Sequence, residues 1–104
     1  MLFRVTPDAS TGRVRVEGEV DMAGAEVFEQ QLAPLLADRE SPEVDMSGVT
    51  FIDSAGLRAL YRCSESMNGN GPLVVVNPSR FVASLMKITG FDGAGPVVLG
   101  DARD

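Results

Sequence analysis

Asp53 and Ser54 lie side by side between the apolar segment VTFI at 49–52 and a segment with helical spacing that begins at Ser54. A carboxylate and a hydroxyl at such a junction allow three kinds of chemistry. Either side chain can cap the helix by accepting a hydrogen bond from a free amide of the first turn. Either can act as a nucleophile, or Ser54 can accept a phosphoryl group, because the amides at a helix start favour an anion. The residue types alone leave these roles open.

Nucleophilic catalysis lacks a general base in this sequence. The chain has no histidine, which excludes a Ser-His-Asp triad and removes the commonest ligand of catalytic zinc. Lys87 is the only lysine and belongs to a different predicted helix. No strand is followed by a Gly-rich loop with Lys-Ser or Lys-Thr, so no P-loop for ATP is predicted. We therefore expect a protein that is not an enzyme and that has no catalytic residue, metal or cofactor.

Asp21 is a further acidic candidate, in the segment GEVDMAG that precedes the first predicted helix. It follows a strand, as Asp53 does, and the loops after parallel strands lie along one edge of a sheet, where functional residues collect. The two loops could therefore lie near each other. Asp21 is then either a turn or cap residue or part of a binding site with Asp53 and Ser54.

The first third of the chain predicts a hairpin and a helix. Alternating apolar and polar residues predict strands at 2–6 and 13–20, joined by the turn residues PDASTG. From Gly24 onward the spacing becomes helical, with an inward face of Phe28, Leu32, Leu35 and Leu36. Pro34 predicts a kink or a break in this helix.

The middle of the chain predicts a strand and a second helix. EVDMSGV at 43–49 has the pattern of a short strand that enters a turn at Ser47 and Gly48. The helix from Ser54 ends at NGNGP, 68–72, and its inward residues are Leu57, Leu60, Tyr61 and Met67.

The last third predicts a covered strand at 73–77, a third helix and an edge strand at 96–100. Asn77 or Ser79 caps the third helix, and Gly90 with Phe91 fits its end. Its expected core residues are Val82, Leu85, Met86 and Thr89.

This alternation predicts an α/β fold in which a mixed sheet of four to five strands is covered by about three helices. With 104 residues, the chain fits a single domain, in which residues 1–100 form the core and residues 101–104 a flexible tail. We expect a monomer or a weak dimer.

Composition and charge limit the kinds of partner and the cellular compartment that we expect for this protein. A net charge of −6 and the lack of a basic cluster predict no binding to nucleic acid. No apolar run is long enough to span a bilayer and no secretory signal is visible, so we expect a cytoplasmic protein without membrane insertion. Cys63 is the only cysteine, which fits a reducing compartment and a structural role.

Three segments resemble one known family. VDMSGVTFIDSAGLRAL at 44–60 is similar to the signature of the STAS family, the domain of anti-sigma factor antagonists and of sulfate transporter tails. EGEVDMAGAEVFEQQL at 17–32 resembles the earlier Gly-Glu-apolar-Asp element of the family, and LMKITGFDGAGPV at 85–97 resembles its last helix and end. The resemblance covers nearly the whole chain, in order and spacing.

The antagonist branch of the family implies a switch at Ser54. There the serine of the Asp-Ser motif is phosphorylated by the anti-sigma factor, a serine kinase with a histidine-kinase-like ATP fold, and a serine phosphatase removes the phosphate. The unmodified antagonist binds the anti-sigma factor and frees a sigma factor, whereas the phosphorylated form dissociates from the anti-sigma factor. By motif position Ser54 is the phosphoacceptor, and the expected partner-binding residues are Asp21, Asp53, Ser54, Gly56, Leu57 and Arg58.

Several alternatives accompany this interpretation. Leu57 also fits the core, and Gly56 can serve the close approach of a neighbouring loop. Arg58 lies four residues after Ser54, so it can hold the phosphate or meet acidic groups of a partner. The chain can instead be a STAS accessory subunit of a membrane transporter ATPase complex, which is never phosphorylated. An enzyme with Asp53 or Ser54 as nucleophile is the third hypothesis.

Overall fold

The computed structural model describes residues 2–37, 39–67, 71–89 and 97–100, which form five strands and three helices. Their order and bounds are β1 (Phe3–Asp8), β2 (Arg13–Val20), α1 (Ala25–Leu36), β3 (Glu43–Ile52), α2 (Ser54–Glu65), β4 (Leu73–Val76), α3 (Arg80–Thr89) and β5 (Val97–Leu99). The predicted class, a mixed sheet with three helices, is confirmed.

The five strands lie in the sheet in chain order, from β1 to β5. β1 pairs antiparallel with β2, and the remaining neighbours pair parallel. The parallel strands β2 and β3 end side by side, with Val20 opposite Ile52, and the start of β1 lies at this edge of the sheet too because Phe3 pairs with Gly18. We call it the carboxyl edge. Strand β4 runs in the same direction but ends at Val76, opposite Asp45, well before the end of β3.

One face of the sheet carries the core. In β2, Val14, Val16 and Val20 are buried, whereas the alternating Arg15 and Glu19 are exposed. Helices α1 and α2 pack against each other, and their inward residues Phe28, Leu32, Leu57 and Leu60 are buried with these valines in one cluster. This burial holds the two loops that precede α1 and α2 in place.

Strand β3 differs from its prediction, because the expected turn at Ser47 and Gly48 is wrong. The strand continues through both residues to Ile52, so that nine residues of β3, 44–52, run alongside seven of β2, 14–20. The two extra residues of β3 are accommodated at two register shifts. The first lies at Met46 and Ser47, opposite Val16, and is a bulge, after which Gly48 pairs with Glu17. Because β3 extends this far, its end delivers Asp53 directly to the carboxyl edge.

Asp45 stabilises the first bulge. Its Oδ1 accepts hydrogen bonds from the Ser47 amide at 2.9 Å and the Ser47 hydroxyl at 2.7 Å, and its Oδ2 accepts from Asn77 Nδ2 at 3.2 Å. Partial burial alone would raise the pKa of Asp45, but these hydrogen bonds and the nearby Arg15 charge hold the pKa below its usual value. Asn77 has a left-handed φ of 48°, which asparagine tolerates better than most residues.

The Asp45 carboxylate should make the free energy of unfolding sensitive to acid. Since the folded-state pKa of Asp45 is lowered, its stabilising contribution is present above the pKa of the unfolded chain and is lost as pH falls through the folded value. We expect Asp45→Asn to be less stable than wild type at pH 7 and to lose less stability on acidification below about pH 4. Urea titrations across this range measure both effects, and parallel declines for the two proteins would contradict the assignment. Ser47→Ala, which removes one donor, should give an intermediate decline.

Helix α1 passes through Pro34, so that, of the predicted kink or break, the break does not occur. Pro34 is exposed and lies in the last turn, two residues before the helix ends at Leu36. A proline at this place removes one helical hydrogen bond and leaves little helix beyond it to be displaced. The residues expected inward are buried or half-buried, in agreement with the helical spacing.

Helix α3 begins after Ser79, which settles the choice of cap. The Val82 amide donates to Ser79 Oγ at 3.3 Å, and the Ser79 amide donates to the carbonyl of Met46 in β3 at 3.2 Å. Val82 and Met86 are buried as predicted. The expectations for residues 68–70, for the side chain of Thr89, for Gly90 and Phe91, and for the tail 101–104 lie outside the described residues.

Candidate functional site

The loops that follow β2 and β3 meet at the carboxyl edge. The Asp53 amide donates to the Val20 carbonyl at 3.3 Å, and Asp53 Oδ2 accepts a hydrogen bond from the Met22 amide at 3.0 Å. The loop that contains Asp21 is thus joined directly to the start of α2. The proximity suggested by the order of strands and helices is confirmed.

Asp53, rather than Ser54, caps α2. Asp53 has extended backbone angles, and its Oδ1 accepts a hydrogen bond from the Gly56 amide at 3.0 Å. Ser54 is therefore the first helical residue, and it is exposed. Among the described residues, its hydroxyl has no hydrogen-bond partner, so neither capping nor packing occupies this side chain.

The two carboxylate oxygens of Asp53 accept hydrogen bonds from two different segments, the first turn of α2 and the loop after β2, so their removal should lower the stability of the protein. We expect Asp53→Ala to lower the free energy of unfolding by about 1–2 kcal/mol, because the Gly56 and Met22 amides both lose their acceptor. Asp53→Asn keeps one acceptor oxygen and should lose less. Equilibrium unfolding in urea measures both variants; equal stability of Asp53→Ala and wild type would contradict the double role.

Asp21 shapes the first loop. Its Oδ1 accepts hydrogen bonds from the Ala23 amide at 3.1 Å and the Gly24 amide at 3.3 Å, which closes the turn before α1. Asp21 is half-buried, with Met22 exposed next to it. Asp21 and Asp53 both carry carboxylates, so together they make this part of the edge negative.

Gly56 and Leu57 lie behind the surface. Gly56 is buried, and a Cβ at this position would stand 2.7 Å from both the Val20 carbonyl oxygen and Ile52 Cγ1. Leu57 is 2% exposed in the core. We therefore assign both residues to packing: the glycine lets α2 approach β2 and β3 closely, and the leucine anchors the helix. They support the site by fixing Ser54.

Arg58 faces solvent on α2, one turn after Ser54. The next turn carries Arg62, whose Nη1 lies 3.5 Å from Glu29 Oε1 of α1, a partly exposed ion pair between the helices. Within the described ranges, Arg58 has no ion pair of this kind. Its guanidinium is the cation on α2 that is positioned one turn from the serine.

Sequence reasoning missed the apolar part of the edge. Met22 is 79% exposed, and Phe51 and Phe81 are 39% and 43% exposed, with their ring centroids 5.4 Å apart. Phe51 pairs in register with Glu19, so it points to the face of the sheet opposite its buried neighbour Ile52. The alternation of inward and outward residues along β3 could have shown that Phe51 points outward. The contact of Phe51 with α3 depends on tertiary packing.

The only cysteine of the chain lies in the core. Cys63 is buried in α2, and burial, with a further contribution from Glu29, raises the pKa of its thiol to about 12, which makes it a poor nucleophile. In the part of the chain that the structure describes, no three acidic or cysteine side chains gather in a way that could hold a metal ion. Over the same residues, none of the helices has the length and apolar character needed to cross a membrane.

Comparisons with known proteins bear on this arrangement. The family described as "Mlab, STAS domain" matches residues 3–100. No curated protein matches the chain. A crystal structure of an anti-sigma factor antagonist from Mycobacterium paratuberculosis is 25% identical, with a TM-score of 0.73 over 92% of this chain and 85% of that one. The anti-sigma factor antagonist SpoIIAA in its unphosphorylated form is 18% identical, with a TM-score of 0.62 over 97% and 89%, and shares the fold.

Proposed function

Because this chain belongs to the STAS domain family, we propose that it is an anti-sigma factor antagonist that is switched by phosphorylation of Ser54. The unphosphorylated protein binds an anti-sigma factor serine kinase and releases a sigma factor. The kinase transfers the γ-phosphoryl group of ATP to the Ser54 oxygen, the hydroxyl proton leaves, and ADP is the other product. A serine phosphatase restores the binding form by hydrolysis of the phosphate ester.

The observation that carries this proposal is the exposed Ser54 hydroxyl, which has no partner among the described residues. Asp53 already caps α2, so the serine is not needed to satisfy the first turn of the helix. A kinase can therefore reach the hydroxyl without unfolding the site. The helix start also stabilises a phosphate once it has formed, because its amides and the helix dipole favour negative charge.

Phosphorylation would change the binding surface more than the fold. The phosphate adds a charge of about −1.5 to −2 at neutral pH beside Asp53 and Asp21. A partner surface that accepts the free hydroxyl would then face a bulky anion. Lost complementarity at such a point costs about 2–5 kcal/mol, which weakens binding from about thirtyfold to several thousandfold.

Arg58 is the residue that distinguishes two versions of the switch. Four residues after Ser54 on the same helix, it can pair with the phosphate, or it can pair with acidic groups of the partner before phosphorylation. In the first version Arg58→Ala alters the phosphorylated form, and in the second it weakens binding of the unmodified form. A variant that leaves both partner affinity and phosphorylation rate unchanged would remove Arg58 from the proposal.

The test is phosphoryl transfer in a purified system. The full chain is incubated with magnesium, ATP and each candidate anti-sigma kinase from its source, and intact mass and peptide mapping follow the product. We expect one phosphoryl group on Ser54, none on Ser54→Ala, and normal modification of Ser84→Ala, which removes another exposed serine. If no kinase modifies the folded wild-type protein, the phosphoswitch is wrong and the accessory subunit of a transporter ATPase becomes the better hypothesis.

A further inference from the structure

Exposed apolar side chains are concentrated at the carboxyl edge. Among the described residues, the large apolar side chains that are exposed are Leu2, Met22, Phe51, Phe81 and Ile88. All but Ile88 lie at this edge: Leu2 precedes β1, Met22 follows β2, Phe51 lies near the end of β3, and Phe81 is in the first turn of α3. Such clustering on a soluble domain is typical of an interaction surface.

Ser54 is close in the fold to two parts of this apolar surface, because its neighbour Asp53 binds the Met22 amide and Phe51 lies three residues before it in the chain. Along the edge, the loop with Met22 comes before the start of α2, and the Phe51–Phe81 pair lies towards the β4 side. We call Met22, Phe51 and Phe81 the apolar flanks. Ser54 and the apolar flanks therefore share the carboxyl edge.

The backbone at each flank is fixed in the described structure. The Met22 amide is held by Asp53 Oδ2 at 3.0 Å. Phe51 lies within β3, and Phe81 lies two residues after the Ser79 cap, whose amide donates a hydrogen bond to β3. Side chains on a fixed backbone lose less conformational entropy when a partner binds, which favours affinity. The unbranched Met22 can adapt to the shape of the partner.

Charge and position together indicate the kind of partner. The flanks share the carboxyl edge with the carboxylates of Asp21 and Asp53, on a chain whose net charge is −6, and Arg58 is the exposed cation one turn after Ser54. A second copy of the chain would bring like charges together, whereas a protein with apolar side chains around a basic centre would complement the surface. Because the flanks lie at the same edge as Ser54, we expect them to contact the partner that recognises this serine.

We infer that the apolar flanks are the affinity-determining contacts for the anti-sigma factor, while Ser54 at the centre is the on-off element. This inference rests on the proposed function and adds the location and chemistry of the partner's footprint. The partner presents apolar side chains to Met22 and to the Phe51–Phe81 pair, and a polar or basic group to Ser54. Interfaces of this kind concentrate their binding energy in a few buried aromatic and aliphatic residues.

The experiment compares variants of the apolar flanks with a control variant on α3, the helix that carries Phe81. Met22→Ala and Phe81→Ala are titrated, unphosphorylated, against each candidate anti-sigma factor from the source organism; Ile88→Ala is the control, since Ile88 is 81% exposed near the other end of α3. We expect each flank variant to weaken binding at least about tenfold, with a larger loss in the double variant, and the control to stay within about twofold. Because Met22 is so exposed, its variant should fold normally.

The outcomes separate the inference from the function on which it rests. If wild type binds an anti-sigma factor and the flank variants bind equally well, the inference is wrong and the proposed function stands. If wild type binds none of the anti-sigma factors, both are wrong. Sedimentation of the same proteins detects a dimer: self-association that Phe81→Ala abolishes would assign the flanks to a second copy of the chain and overturn the inference.

Discussion

Ser54→Glu is expected to weaken binding to the anti-sigma factor by about thirtyfold or more without destabilising the fold. The substitution places a carboxylate where phosphorylation would place a phosphate, next to the negative Asp53. A loss of about 2 kcal/mol at the centre of an interface corresponds to this change in affinity. At the first helical position, the same charge interacts favourably with the helix dipole, by about 0.3–1 kcal/mol. Affinity titration and thermal unfolding measure the two effects separately.

Ile88→Glu is the matched control for this prediction. Ile88 is also exposed on a helix, but it lies near the far end of α3 from Phe81 and outside the apolar flanks. The added charge is identical, so a general effect of negative charge would appear in both variants. If Ser54→Glu bound as tightly as wild type, or if the two glutamates weakened binding equally, Ser54 would not be the switch.

Gly56→Ala is expected to destabilise the protein, although the same change in an exposed helix would stabilise it. Alanine favours a helix over glycine by about 1 kcal/mol. Here the new methyl group would lie 2.7 Å from the Val20 carbonyl oxygen and from Ile52 Cγ1, so either α2 or the strands beneath it must shift. Overpacking of this kind costs about 1–3 kcal/mol, and the clash with a backbone oxygen puts the expected net loss near 2 kcal/mol.

Differential scanning calorimetry measures this loss as a decrease in Tm of about 8–16 °C for a chain of this size. Ser84→Ala, in an exposed part of α3, should change the free energy of unfolding by no more than about 0.5 kcal/mol. An equal or higher Tm for Gly56→Ala would mean that α2 does not rest on the end of β2 as described. The displacement of α2 should also weaken partner binding, since the helix positions Ser54.

The alternation of strands and helices could be predicted because period-two and helical spacing follow directly from which side chains are buried. Val14, Val16 and Val20 alternate with charged residues in β2, and the inward residues of α1 recur at helical intervals. These patterns also placed Asp21 and Asp53 after parallel strands. Their meeting at one edge then follows from sheet topology, without knowledge of any individual contact.

Other features depend on contacts that local sequence does not encode. Ser47 and Gly48 have the composition of a turn, but a bulge uses the same residue types, and only pairing with β2 decides between them. Asp53 and Ser54 are both good capping residues, so the choice depended on backbone angles. The Phe51–Phe81 contact joins β3 to α3 across 30 positions of sequence and could not be inferred from either segment.

The most direct test of the switch is to isolate the protein from its own cells, bound and unbound to the anti-sigma factor, and to map the modification of Ser54 in each fraction. We expect unmodified Ser54 in the bound fraction and phosphorylated Ser54 in the unbound fraction, and we expect a Ser54→Ala strain to retain the complex under all conditions. Phosphoserine at position 54 in the bound fraction, or a chain that is never phosphorylated in either fraction, would contradict the switch.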